Sequence, residues 1–510
     1  MKDYILKRPM LLCAIICVII SITGYYSKAA VLAFGIFYAI FIGIAVLKGA
    51  KPQILLALVL AFLMLLSLIS TVFKAEKVNQ FVRTNQPTKA VVCEITKKSE
   101  NYNCAVMEVI EHPDLPRGTK VYCVYSPKEI SMGQVINADF KLNSITNPIT
   151  KASDYSQNIF VSANVYNINL LKDETDVVLS VTGKVRSYIK DTLFSNMGYN
   201  EAATMCALVF GDKNYFSDRF YSNVKGAGVS HVMVVSGMHL SILVMLCLNI
   251  SKRLFYNKYL KAFTMMFVVI ILTALCGFTM SILRAGITYL FLAFSIIADK
   301  DNTPANTLGA AVVSVLFYSP FAVLSLAFQL SVLSTFGILA VAIPVIEYIE
   351  TYRLITSKPL FLTVSAATIT LSATLLTLPV LIYSFGYIST VSVITNLLIS
   401  YAVTLALSIS VIALTLNFCF PFLAKFLFAV CDSLVKYINA VINLFGSLPF
   451  SVVRLPLWTA FLAVLLIILI FYCLLACKKR LDMIELNEII NKKLEKRGGN
   501  LKWQLFLKRI

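Results

Sequence analysis

The stretch Gly228–Leu243, GVSHVMVVSGMHLSIL, opens a long apolar segment and yet carries several polar residues. It contains His231 and His239, two of the three histidines in the chain, together with Ser236 and Gly237. An unpaired polar group at membrane depth costs several kcal/mol, so such side chains usually face a cavity or another helix. Gly237 allows a break in the helix or the close approach of another backbone. From the residues alone, a transmembrane helix with small residues at a packing face is an equal alternative.

The composition is that of a membrane protein that crosses the bilayer several times. Of its 510 residues, 58% are hydrophobic and only 14% are charged, whereas soluble proteins average about 25% charged residues. The net charge of +19 fits either a nucleic acid partner or cytoplasmic loops. The twelve cysteines show no metal-binding spacing, and three histidines exclude a His-rich metallohydrolase site, so no cofactor or metal is expected.

The apolar runs predict a polytopic α-helical membrane protein of about 12 spans with an inserted small β-barrel. Three runs, at 9–25, 29–47 and 53–73, form the N-terminal membrane spans within residues 1–77. A second membrane domain occupies residues 230–477. Its nine predicted spans lie at about 230–250, 262–280, 282–298, 305–322, 326–346, 361–384, 388–415, 420–445 and 457–477.

Basic residues beside the spans predict the orientation. Met1–Arg8 is basic, and Lys48 and Lys51 separate the second span from the third, so the positive-inside rule places both groups in the cytoplasm. Three spans then bring the chain outside near Lys74. Nine further spans return it to the cytoplasm, where the tail 478–510, with 10 basic and 4 acidic residues, is expected. We also expect this tail to be dispensable for the membrane fold.

Residues 78–182 predict an extracytoplasmic β domain. Five short segments rich in Val, Ile and Tyr alternate with turn signals such as HPDLPRG, which suits a small barrel of the OB-fold type. The domain is not basic, because Lys74 to Lys184 contains 13 basic and 12 acidic residues. Candidates for stacking on DNA bases are Tyr102, Tyr122, Tyr125 and Phe140. The domain contains Cys93, Cys104 and Cys123. Two of these three cysteines are able to form a disulfide if the domain lies outside the cytoplasm.

Two segments next to the membrane are amphipathic. Residues 183–229 contain helices with mixed faces, which predicts that they lie along the outer membrane interface. The span at 420–445 carries Lys425, Asp432 and Lys436, so it either crosses the membrane, lines a path or lies flat. If it does not cross, the charge-based orientation requires that another span is also miscounted.

The opening stretch is similar to the signature of the ComEC family. Members of this family are membrane channels that import single-stranded DNA during bacterial competence. The matching residues are Gly228, His231 and Ser236-Gly237-Met238-His239. The residues that match the family's stretch just ahead of it are Leu208, Gly211, Asp212 and Lys213. Further motifs follow along the chain in the same order as in the family, so the resemblance covers most of the chain.

Three further groups resemble family motifs or carry costly polar residues. Ser281 and Arg284 in MSILRAGI are three residues apart on one helix face, and an arginine at membrane depth normally pairs or faces water. The family's Gly-Phe-Gln-Leu-Ser pattern is matched by Phe328-Gln329-Leu330-Ser331, with Ala327 replacing the glycine. The last group consists of Pro379, Phe385-Gly386 and Asn396, without the proline that often follows this asparagine.

The resemblance implies a channel that passes one DNA strand across the cytoplasmic membrane, with the OB-like domain outside. The residues expected along the DNA path are His231, Ser236, Gly237, His239, Ser281, Arg284, Gln329, Ser331 and Asn396. Single-stranded DNA and the lipid bilayer are the implied partners, with a DNA receptor protein outside, a DNA motor in the cytoplasm and a separate nuclease. The chain lacks the His-x-His-x-Asp-His motif of the longer members, so it resembles the short form and is not expected to be an enzyme.

Two other function classes remain open from the residues. Ser, Gly and other polar residues at the bilayer midplane also suit a secondary transporter of a small solute. An intramembrane enzyme would use Ser236 as nucleophile and His239 as base, but no carboxylate that would orient the histidine occurs in the motif. Transformation competence, small-solute uptake and a serine-reactive probe distinguish the three classes.

Overall fold

The computed structural model describes residues 9–27, 52–80, 85–98, 102–126, 130–233, 235, 237–254, 257–277, 279–300, 303–470 and 472. Ser236, the predicted span at 29–47 and the tail 478–510 lie outside the described residues. The described chain is a membrane protein with a small barrel. The count of twelve spans stays a prediction.

Two long apolar helices precede the barrel, and most later helices are also apolar. The helices are α1 (Pro9–Tyr26), α2 (Pro52–Gln80), α3 (Pro148–Ser156), α4 (Val177–Asn196), α5 (Tyr199–Phe210), α6 (Asp218–Gly226), α7 (Gly237–Leu254), α8 (Lys258–Leu275), α9 (Met280–Ala298), α10 (Pro304–Tyr318), α11 (Leu326–Gly337), α12 (Ile343–Thr351), α13 (Lys358–Phe385), α14 (Ser392–Leu416), α15 (Pro421–Gly446) and α16 (Thr459–Ile470). A 3₁₀ turn (Pro320–Leu324) precedes α11, and a π turn (Ile338–Ala342) joins α11 to α12.

Among the described residues, six helical segments are long and apolar enough to cross a membrane. They are Lys258–Leu275, Met280–Ala298, Leu326–Thr351, Lys358–Phe385, Ser392–Leu416 and Pro421–Gly446. Shorter apolar helices occupy Met10–Tyr26, Gly237–Asn249, Pro304–Tyr318 and Thr459–Ile470. A membrane helix needs about 20 residues, with a range of about 17–25, so length and composition support the first set more directly.

The predicted five-stranded barrel is confirmed. Its strands are β1 (Asn85–Lys98), β2 (Asn103–Glu111), β3 (Lys120–Tyr125), β4 (Gln134–Ser144) and β5 (Ile159–Thr175). They close in the order β1-β2-β3-β5-β4, with β3 and β5 parallel and the other neighbours antiparallel. Strand β3, KVYCVY, buries every second side chain, as the two-residue period of a strand requires. Phe140 and Phe160 fill the barrel core.

The barrel is docked on the membrane helices through the connection between β4 and β5. Helix α3 in this connection carries Tyr155, whose ring lies 5.9 Å from that of Phe321 in the 3₁₀ turn. Asn79, near the end of α2, donates to the Tyr155 hydroxyl at 3.0 Å. The Ser319 hydroxyl donates to the Ser156 carbonyl at 2.8 Å. These contacts hold the barrel at the ends of α2 and α10.

Helices α4–α6 pack with α14 and α15 around one hydrophobic cluster. Helix α5 is almost completely buried, including Ala202, Met205 and Leu208, and it faces Phe428 and Ile438 of α15 in that cluster. The sequence predicted α4–α6 as interfacial helices. The structure shows that α5 and α6 are packed against α15 along its length, whereas α4 exposes several valines.

A second compact unit comprises Gly337–Gly386 and the described residues from Arg454 onward. Its longest helix, α13, contains Pro379 and ends at Gly386, which adopts a left-handed conformation with φ of +69°. Gly337 lies so close to α13 that an added Cβ would be 2.6 Å from the Ser372 carbonyl oxygen. The π turn that follows Gly337 is therefore packed directly against α13.

Replacing Gly133 by alanine should destabilise the protein more than Gly118→Ala. The two glycines have φ of +81° and +78°, so each alanine costs about 1–2 kcal/mol in the left-handed conformation. An added Cβ at Gly133 would also lie 2.4 Å from the Ser180 backbone nitrogen of α4, whereas at Gly118 the nearest atom is a Glu108 carboxylate oxygen at 3.6 Å. Thermal unfolding in detergent measures the difference. Equal unfolding temperatures for the two variants would contradict the close packing of α4 against the barrel.

Candidate functional site

The first turns of α9 are buried, and they carry the arginine that the sequence singled out. Arg284 is 6% exposed and Ser281 is 7% exposed, together with the apolar Ile282 and Ala285. The apolar MSILRAGI sequence forms this helix readily, and Gly286 lets α9 approach Thr273 of α8 closely. A guanidinium is thus held inside the helix bundle and not at its outer surface.

Arg284 is held by a neutral partner. Its Nε donates to the Ser331 hydroxyl of α11 at 3.0 Å. Among the residues that the structure describes, no carboxylate forms an ion pair with Arg284. A guanidinium carries five N–H donors and stays charged in proteins. The contact with one hydroxyl therefore leaves its charge without a described counterion.

Gly237 lies directly against this guanidinium. A Cβ added to Gly237 would be 3.2 Å from an Arg284 Nη atom and 3.3 Å from the Ala285 Cβ. Helix α7 begins at Gly237, so the close approach occurs at a helix N-terminus, where the partial positive charge of the backbone adds to that of Arg284. Sequence analysis predicted that Gly237 permits a close approach, and the structure shows the group it approaches.

The two histidines of the opening stretch lie in different environments. His239 is 1% exposed and sits in the first turn of α7. His231 is exposed to solvent in the turn that precedes α7. The two are near enough for their charges to interact. Both histidines therefore lie near the N-terminal end of α7, where Gly237 meets Arg284.

The remaining residues predicted for the path are placed around this centre with different contacts. Gln329 donates through Nε2 to the Val323 carbonyl at 2.8 Å, so its amide stabilises the 3₁₀ turn and does not contact Arg284. Asn396 is buried at 7% exposure on α14, a helix that packs against α7. Arg284, Gly237 and Ser331 are thus the predicted residues that the structure brings into direct contact.

A site such as this attracts anions. It combines a buried cation, a helix N-terminus and hydroxyl groups at membrane depth, where an arginine at a helix centre costs about 2.5–3.5 kcal/mol on insertion scales. A passing phosphate or carboxylate would offset that cost by supplying the opposite charge. The arrangement supports binding or passage of an anion.

The residues of the barrel that were predicted to contact DNA fall into two groups. Tyr125 and Phe140 are buried in the barrel core at 3% and 0% exposure, so a base cannot reach their rings in this conformation. Tyr102 is 40% exposed and Tyr122 is half-buried, so both remain candidates for stacking. The three cysteines considered for a disulfide, Cys93, Cys104 and Cys123, are free thiols.

A carboxylate lies at the junction between the barrel and the membrane helices, and sequence analysis did not single it out. Glu94 of β1 lies beneath the turn between α8 and α9, where a Cβ added to Gly277 would be 3.1 Å from its carboxylate. Burial raises the pKa of Glu94, and the nearby guanidinium of Arg186 lowers it in part. The only sequence signal is one acidic residue within the apolar strand segment AVVCEI.

Comparisons with known proteins place this site within one family. The competence protein family matches residues 208–480, more than half of the chain and all of the contacts around Arg284. The chain is also similar to ComE operon protein 3 of Bacillus subtilis (strain 168), with 23% identity over 336 residues. That match covers 64% of this chain and 41% of the relative. No solved structure matches.

Ser331→Ala should destabilise the protein more than Ser334→Ala. A hydrogen bond to a charged group contributes about 1.5–3 kcal/mol, and Ser331→Ala removes the hydroxyl bonded to buried Arg284. Ser334 lies on the same helix, but its hydroxyl donates to the Ser331 carbonyl at 3.3 Å and contacts no charge. Thermal unfolding in detergent is the measurement. If Ser331→Ala lowered the unfolding temperature no more than Ser334→Ala does, Ser331 would not hold Arg284.

Proposed function

The chain belongs to the competence protein family, and on that basis we propose that it is a channel for uptake of single-stranded DNA across the cytoplasmic membrane. The single observation that carries the proposal is the buried Arg284, which contacts Ser331 and Gly237 without a described acidic partner. A phosphodiester carries one negative charge per nucleotide, so a strand that crosses the membrane needs positive and polar groups along its path.

The path begins at the exposed His231, in the turn before α7, and passes the N-terminus of α7. Gly237 leaves just enough room for the Arg284 guanidinium, because a Cβ at this position would lie 3.2 Å from its Nη atom. His239, buried in the same turn, supplies a polar wall. Electrostatic attraction by Arg284 assists entry of the phosphate groups, since no carboxylate among the described residues forms an ion pair with it.

In this proposal the barrel lies outside the cytoplasm and receives the strand. A five-stranded barrel is the architecture of the OB-fold, whose strand faces and loops bind oligonucleotides. Tyr102 and Tyr122 are the aromatic residues that remain accessible for this purpose. The barrel's loop between β4 and β5 is occupied by the contact with Phe321, so the strand would use the opposite loops.

The proposal assigns transport to the chain and no catalytic step. A DNA receptor outside, a DNA motor in the cytoplasm and a separate nuclease are the partners that such a channel requires. The near-neutral charge of the barrel region supports a receptor, because a domain with 13 basic and 12 acidic residues attracts DNA only weakly by itself.

Gly237→Leu should abolish transformation while the protein remains in the membrane. The leucine side chain would occupy the space beside Arg284, and closing a path requires less disruption than unfolding the helix bundle. His239→Ala should lower transformation frequency more than Val244→Ala. Both residues are 1% exposed on α7, so loss of packing is comparable. Transformation frequency and the amount of protein in the membrane are measured together.

Normal transformation with Gly237→Leu at wild-type protein levels would contradict a path beside Arg284. Equal effects of His239→Ala and Val244→Ala would show that the histidine acts only through packing. If transformation were normal without the protein, while uptake of a labelled small solute was lost, the chain would be a secondary transporter instead.

A cysteine at Tyr166 should react with a membrane-impermeant maleimide on intact cells, because we place the barrel outside. Tyr166 is 49% exposed on β5. The native barrel thiols are poor reporters, since burial raises the pKa of Cys93 to about 12 and two others are buried. The exposed Cys419 is removed by Cys419→Ser so that it does not contribute. Labelling of Tyr166→Cys only after cell lysis would place the barrel in the cytoplasm.

A further inference from the structure

Helix α15 exposes a face on which lysines alternate with aromatic rings. Lys425 and Phe426 form one pair, and Lys436 and Tyr437 form a second pair eleven residues later. Phe426 is 65% exposed, Tyr437 is 45% exposed, and the Lys436 side chain is 64% exposed. Eleven residues complete three helical turns within about 20°, so the pairs lie on one face about 16 Å apart.

Polar contacts that flank this face, about 40° and 60° around the helix axis from Lys436, hold α15 in its orientation. Asp432 accepts a hydrogen bond from the Gly198 backbone N–H at the start of α5, at 3.0 Å. Asn439 accepts from the Thr204 hydroxyl at 2.9 Å, inside the same packed layer. Because these residues are held by α5, the helix cannot turn its lysine face inward.

The contacts of the second pair hold its side chains outward. Asp432 also forms an ion pair with Lys436 at 2.9 Å, which positions the ammonium group without burying it. The Tyr437 hydroxyl donates to the Leu398 carbonyl of α14 at 3.3 Å. The ring is therefore anchored at its edge, and part of its surface stays accessible.

Contact with lipid hydrocarbon is unfavourable for this face. Lys436 lies fifteen residues after Pro421 in a helix of 26 residues, well away from either end. A lysine at the centre of a membrane helix costs about as much as an arginine there, so it normally faces water or a partner. A lysine near a helix end can reach the interface, but Lys436 is not near an end.

We propose that the exposed face of α15 is a second binding surface for single-stranded DNA. The ammonium groups of Lys425 and Lys436 contact phosphates, and the rings of Phe426 and Tyr437 stack on bases. Basic groups interleaved with aromatic rings are the chemistry by which proteins bind single strands without sequence preference. The inference rests on the proposed transport of DNA and adds a binding surface outside the contacts of Arg284.

Full-length protein in nanodiscs of zwitterionic phospholipid is titrated with a fluorescent oligothymidylate over a range of salt concentrations. Lys425→Gln with Lys436→Gln should reduce the slope of log affinity against log salt by about 1.4, since each phosphate contact on a single strand contributes about 0.7. Phe426→Leu and Tyr437→Leu should each weaken binding at least about fivefold at fixed salt. The matched controls, Lys300→Gln and Phe267→Leu, alter exposed residues on other elements and should change neither quantity.

An unchanged salt slope and unchanged affinity in the α15 variants would overturn the inference. If these variants lose binding to anionic lipid vesicles but keep DNA affinity, the face binds lipid headgroups and the inference is wrong. The proposed channel stands in both cases provided that Gly237→Leu abolishes transformation. If the wild-type protein binds no DNA and Gly237→Leu transforms normally, both proposals fail.

Discussion

The burial of one guanidinium constrains the centre of the membrane domain. Arg284 is charged at any accessible pH, and the low dielectric of a helix bundle makes an isolated charge costly. The Ser331 hydroxyl accepts a hydrogen bond from it, and the glycine at position 237 lets the positive N-terminus of α7 lie beside it without supplying a counter-charge. A carboxylate would neutralise the charge permanently. A hydroxyl leaves the charge available to an anion that moves past it.

The other contacts of the fold position this centre with respect to the barrel and to α15. Tyr155 and Ser319 fasten the barrel to the ends of two helices, and Glu94 of the barrel lies against the turn at Gly277. Asp432 and Asn439 use the polar side of α15 for packing. Lys425 and Lys436 of that helix stay exposed beside these contacts, and Lys436 forms an ion pair with Asp432.

Sequence reasoning predicted the features that depend on local pattern. The strands of the barrel follow from alternation and turn residues, and the importance of Gly237 and Arg284 follows from the cost of polar groups among apolar ones. It did not predict that Tyr125 and Phe140 point into the barrel, because either register of a strand is compatible with aromatic residues. The contact of Glu94 with the Gly277 turn and the direction of Asp432 depend on which elements meet, and local pattern does not specify tertiary partners.

The accessibility of a cysteine at position 331 to an aqueous reagent tests the central claim most directly. In a variant that lacks reactive native cysteines, Ser331→Cys should react with a charged, membrane-impermeant methanethiosulfonate, and a single-stranded oligonucleotide should protect it, because Ser331 borders a hydrated path beside Arg284. Phe267→Cys, on the outward apolar side of α8, should react only with a lipid-soluble reagent. If Ser331→Cys also reacted only with the lipid-soluble reagent, Arg284 would be a sealed structural residue and the proposed path would be wrong.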